Sequence, residues 1–103
     1  MTDLPKLVRD RIPEIARENG DEPAVHVADD AEYERRLREK LVEEAGEFAE
    51  DGDLDELADV LAVVAAVCEH RGVDREAVER RREAKADERG RFAGRYVLDA
   101  VED

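Results

Sequence analysis

The twelve residues from Leu57 to Cys68 carry one charged side chain, Asp59, in a 103-residue chain that is 46% Asp, Glu, Lys and Arg. Scatter at that charge density would not leave such a gap, so this stretch must find cover. Just before it, Gly52 and Asp53 read as a tight turn. Before the turn, Tyr33, Leu37, Leu41, Glu44 and Phe48 keep the spacing of one helical face from about Ala31 to Asp51. We therefore expect two helices, about 31–51 and Leu54 to about Arg71, folded back on each other. Asp29 or Asp30 can cap the first and Asp53 the second, with Gly72 as a stop.

The flanks add shorter elements. Pro13 suits the first turn of a short helix ending at Asn19-Gly20. Pro23, Val25 and Val27 favour an extended passage over 21–28. Asp74 can cap a further helix to about Arg89, ended by Gly90, and the tail from Gly90 reads as loop or short extended structure packing back on the helices. We expect an all-α fold, a helical bundle on a central antiparallel hairpin, with residues 1–103 as a single domain and no repeat or linker. A segment apolar on all sides wants cover on all sides, so Val60–Cys68 also predicts self-association as a dimer or tetramer.

The apolar faces of the two long helices contain acids. With Leu37 at zero and roughly 100° per residue, Glu44 falls at about −20°, inside the apolar stripe, and Glu47 at about −80°, on its edge. On the second helix, Glu56 shares a flank with Val60, Val63 and Val67, and Asp59 interrupts the clean run. Reflection about the turn sets Glu47 opposite Glu56 and Glu44 opposite Asp59. Each helix then contributes two acids one turn apart, giving two levels of paired carboxylates about 4.5 Å apart. Inward anions are costly unless neutralised, and oxygen ligands in this number suit Mg²⁺, with Mn²⁺ as a substitute. The competing reading is a solvated acidic hairpin. Glu43 points toward the flank, either as an exposed acid or as a group orienting water behind the ligands. His26 and His70 are expected to be structural or exposed.

Charge sets limits on partners. The formal net charge is −13, with Arg outnumbering Lys 14 to 3. So acidic and Lys-poor a chain suits high salt, where self-repulsion is screened, and predicts a halophilic setting. It disfavours nucleic acid and anionic membranes, and any phosphate site must locally reverse the field. The Arg80–Arg95 segment holds seven cations against three acids. Cys68, the single cysteine, cannot form an internal disulfide. With no apolar run long enough to span a bilayer and no signal peptide before the charged opening, we expect a cytoplasmic protein.

The motifs EEAGE at Glu43–Glu47 and ELAD at Glu56–Asp59 resemble the EExxE…ExxD signature of the all-α, MazG-like nucleoside triphosphate pyrophosphohydrolases. The context KLVEEAGEF…DELADVLAVV is similar to the branch that includes phosphoribosyl-ATP pyrophosphohydrolase. KLVRDRIPEI and KADERGRF resemble flanking segments of small stand-alone members, so the likeness spans nearly the whole chain. The eight residues between Glu47 and Glu56 form a shorter spacer than in many members. The resemblance implies Mg²⁺-dependent hydrolysis between the α and β phosphorus, releasing a nucleoside monophosphate and pyrophosphate, in a helical, usually oligomeric, house-cleaning enzyme. By position it implies Glu44, Glu47, Glu56 and Asp59 as metal ligands. In that context Lys85 and Arg89, one turn apart, become candidate phosphate contacts, while Lys6, Arg9 and Arg11 divide evenly between substrate contact and salt bridging. Hydrolysis of phosphoribosyl-ATP in histidine synthesis uses the same cradle and stays open. So does a non-enzymatic acidic module that oligomerises through its helices.

Overall fold

The computed structural model describes residues 4–102 and contains four α-helices, with no strand among those residues. They are α1 (Ile12–Glu18), α2 (Asp30–Asp51), α3 (Leu54–Arg71) and α4 (Arg75–Arg89). The expected all-helical architecture holds, and the extended passage over 21–28 is free of regular structure. The chain forms two compact units, residues 1–72 and 73–103.

In the first unit α2 and α3 pack against each other as an antiparallel hairpin. Local chemistry sets its register. Asp29 caps α2 by accepting from the Glu32 N–H at 2.8 Å, which settles the choice between the two candidate caps. At the other end Gly52 takes a left-handed conformation, φ +66°, and its N–H closes on the Phe48 carbonyl at 2.7 Å. A side chain at that φ would be strained, so glycine is what lets the chain reverse in two residues. Asp53 then caps α3 by accepting from the Asp55 N–H at 2.9 Å.

The core of this hairpin is small. Leu37 is 2% exposed, and Val63 and Cys68 are the other buried apolar side chains. Far from the turn, a polar clasp supplements it. Arg71 donates to both oxygens of Glu34, at 3.1 and 2.8 Å, and Arg38 donates to the same carboxylate at 2.6 Å. These two guanidiniums, Arg71 foremost, hold Glu34 down to about 2, so the clasp contributes stability above the ordinary carboxylate range and loses it only as pH falls toward 2. His70 lies edge-on to Tyr33, ring centres 4.9 Å apart, beside the same carboxylate.

Ahead of the hairpin, residues 4–11 run as a strap without regular secondary structure until the turn at Asp10. Arg36 on α2 donates to the Pro5 carbonyl at 3.3 Å, and His26 meets Glu32 at 2.9 Å, so α2 holds both preceding segments.

In the second unit, α4 buries none of its residues, and the tail beyond it has neither helix nor strand. Phe92 and Tyr96 are each 96% exposed, where the sequence leads to an expectation of burial. Within the unit, Arg91 pairs with Glu83 at 3.3 Å and Arg82 with Glu79 at 3.0 Å.

Among the described residues no helix is long and apolar enough to cross a membrane. With so few buried apolar groups, Leu37→Ala should cost about 2–5 kcal/mol, a large fraction of the stability of so small a domain. Urea denaturation followed by circular dichroism checks this.

Candidate metal centre

Near the tight turn, Glu44 of α2 meets Glu56 and Asp59 of α3, and one carboxylate oxygen from each lies within 4.8 Å of the others. Capping and turn geometry enforce this convergence, because they leave the helices no freedom to slide. Glu44 is the only buried charged residue among those described, at 7% exposure, and Glu56 and Asp59 are half-buried. Glu47, also half-buried, stands one turn further along α2, close enough to press on both Glu44 and Glu56. The sequence expectation of two paired levels thus becomes three converging acids with Glu47 beside them.

Electrostatics at this seam run against the usual state of a carboxylate. Burial pushes Glu56 up to about 7, and proton sharing with Glu47 and repulsion from Glu47, Asp51 and Asp59 add to it. Burial likewise raises Glu44, with Glu47 adding to the rise and Lys40 opposing it. One Glu44 oxygen, Oε1, lies 3.2 Å from Lys40 Nζ. The other, Oε2, is buried with no hydrogen-bond partner among the described residues. An unpaired buried carboxylate oxygen is expensive, and a cation is its natural complement.

The donor set fits a hard divalent cation. At Mg–O bonds near 2.1 Å, oxygens on opposite sides of one ion stand about 4.2 Å apart, so a spread within 4.8 Å closes by small side-chain rotations. Three carboxylates would leave further positions for water and phosphate oxygens. Among all-oxygen acceptors of this kind Mg²⁺ and Mn²⁺ are suited, and softer metals are not.

Cations ring the acids. Arg9 of the strap donates from Nη2 to Asp59 Oδ1 at 2.8 Å. Lys6 lies 3.7 Å from Glu43, which also faces Lys40 at 3.5 Å. Two of the three amino-terminal cations singled out from sequence, Lys6 and Arg9, therefore reach this seam, and both make salt bridges there. Arg11 pairs with Glu14 at 3.4 Å instead, one turn along its own segment. Glu43 sits between Lys6 and Lys40. Lys85 and Arg89 lie on α4 in the second unit, without an acid in ion-pair range among the described residues. His26 and His70 have the structural surroundings expected of them.

Sequence reasoning missed Lys40. Its signal was present, a lysine four residues before Glu44 in KLVEE, but such i,i+4 pairs decorate solvated helices everywhere. Only the burial of its partner sets this pair apart.

No protein-family model, curated protein or solved structure matches the chain.

The raised carboxyls give a pH dependence of definite sign. A carboxyl whose folded pKa lies above its unfolded value binds more protons when folded, so its contribution is full below about 4.5 and is lost as pH rises toward 7. In EDTA the melting temperature should therefore fall across that window, and Glu56→Gln should flatten the decline. Adding Mg²⁺ should restore stability most at the upper end. Differential scanning calorimetry at several pH values reads all three.

Proposed function

We propose that the protein is a MazG-like, Mg²⁺-dependent pyrophosphohydrolase that cleaves a nucleoside triphosphate between the α and β phosphorus, yielding the monophosphate and pyrophosphate. The observation that carries this reading is the convergence of Glu44, Glu56 and Asp59, one carboxylate oxygen from each within 4.8 Å of the others, around a Glu44 that also has a buried oxygen without a hydrogen-bond partner among the described residues. The EEAGE and ELAD motifs supply the reaction class, by resemblance.

Glu44, Glu56 and Asp59 are the residues that would hold the ion, with Glu47 the fourth carboxylate of the cluster. A divalent cation bound there would supply charge neutralisation for phosphate oxygens and acidify a water. The chain's own residues do the positioning. Lys40, fixed between Glu43 and Glu44, and Arg9, fixed on Asp59, bring positive charge to an acidic surface that would otherwise repel a triphosphate. Glu43 anchors Lys40 and Lys6, which orients these cations. Arg11 remains a candidate phosphate contact, and Lys85 and Arg89 are candidates by the sequence resemblance alone. Neither histidine is needed, because phosphoanhydride hydrolysis asks chiefly for charge neutralisation and a placed water.

The active form is a homo-oligomer acting in the cytoplasm. In favour of association, Leu54 is 77% exposed and Leu57 and Leu61 stand on the same helix only partly covered, too much apolar surface for so small a core.

Pyrophosphate release is the test, assayed with Mg²⁺ at low and high salt over a panel of nucleoside triphosphates and phosphoribosyl-ATP, with sedimentation run alongside. Wild type should turn over at least one nucleoside triphosphate, and Glu44→Gln and Asp59→Asn should each lose roughly a hundredfold or more. Activity surviving both substitutions would remove the mechanism. Turnover of phosphoribosyl-ATP alone would move the enzyme to histidine synthesis. No turnover, with Mg²⁺ changing only stability, would leave the acidic oligomerisation module.

A further inference from the structure

A cavity of about 220 Å³ opens directly beside the carboxylates, roofed by the strap. Its floor follows the hairpin's register. Leu37, Lys40 and Glu44 of α2 line it together with Ala66, Val63 and Asp59 of α3, positions that reflection about the turn sets opposite one another. The cavity therefore changes character along its length. By the register, Glu44 and Asp59 lie toward the turn and Leu37 and Ala66 away from it, with Lys40, Ala62 and Val63 between them and Leu7, Val8, Arg9 and Asp10 of the strap completing the lining.

Ala62 and Ala66 create the space. They lie one turn apart on α3, where a larger side chain at either position would project into the cavity. The apolar end is a poor place for phosphate, which would lose its water there without a counter-charge. It suits a flat, weakly hydrated ring. A cavity of about 150 Å³ accepts benzene, so the 220 Å³ of the whole cavity, its charged end included, is on the scale of one nucleobase. No backbone bond engages the N–H groups of residues 7–10 of the strap among the described residues, which leaves them open to a ligand or to water. The strap is itself held at both ends, by Arg36 on the Pro5 carbonyl and by Arg9 on Asp59.

We infer that this cavity is the nucleobase site: the purine or pyrimidine ring lies between the strap at Leu7–Val8 and the Ala62–Ala66 face of α3, which directs the phosphates toward the carboxylate end. The inference rests on the proposed nucleotide chemistry for its biological meaning, but its test does not. Arg9 thereby gains a second role as a positioning residue, since its pair with Asp59 ties the base wall to the cation site.

The experiment is ¹⁵N-amide NMR in EDTA, titrating adenosine and cytidine, with ribose as control, into wild type, Ala66→Leu and Ala62→Leu. Neither nucleoside carries phosphate and no turnover is involved, so failure here is separable from failure of the hydrolysis proposal. At least one nucleoside should shift the amides of residues 7–10 and 62–66, and ribose should not. Either leucine should weaken that binding by about tenfold or more, by occupying the ring's volume. Mg²⁺ affinity of the same variants, by calorimetry, should stay within about twofold of wild type, because the carboxylates are untouched. Unchanged circular dichroism shows that the variants fold; if one leucine disrupts folding, the other carries the comparison. Nucleosides that move none of these amides, or that bind both folded leucine variants as they bind wild type, would overturn the inference.

Discussion

Repulsion among Glu44, Glu47, Glu56 and Asp59 across the α2–α3 seam is the constraint around which the first unit is organised. Their helices cannot separate to relieve it, because Gly52 and the Asp53 cap lock the turn a few residues away, and Leu37, Val63 and Cys68 hold the helices together further along. Protonation is the relief open to the chain on its own, which is why burial and mutual repulsion lift Glu56 to about 7. Cation binding is the other. Stability alone would be better served by apolar residues in the same places, which is what makes this acidic cluster the proposed cation site.

The two ends of the hairpin make the contrast plain. At the far end Glu34 is met by Arg71 and Arg38 and sits at about 2, a carboxylate fully compensated by the chain itself. At the turn end Lys40 and Arg9 compensate only in part, taking one oxygen of Glu44 and one of Asp59. The same residue types thus serve as a permanent clasp at one end and as an unfinished one at the other. The unfinished end is where the cavity opens and where the strap crosses, so charge, space and access coincide.

Much of the hairpin was legible in the sequence because its signals are local. A clean apolar run, an Asp at each cap, a Gly-Asp turn and helical spacing fix helix bounds and register, and register alone places Glu44 opposite Asp59. What could not be read depends on chain without periodicity. Nothing in KLVRDRI says that Arg9 lands on Asp59 while Arg11 stays with Glu14, since a strap's path is set by what it lies across. Lys40 was hidden among ordinary i,i+4 pairs until the burial of Glu44 gave it significance. The tail failed for a related reason: Phe92 and Tyr96 look like core residues by type, yet burial depends on a partner surface that composition does not reveal.

The central claim is that these carboxylates are held in an unfavourable state that a divalent cation resolves. ¹³C-carboxyl NMR on the folded protein tests it most directly, following Glu56 through pH with EDTA and again with saturating Mg²⁺. The account predicts a midpoint near 7 without metal and a midpoint driven below the ordinary carboxylate range with it. An ordinary midpoint in EDTA that Mg²⁺ leaves unmoved would contradict it.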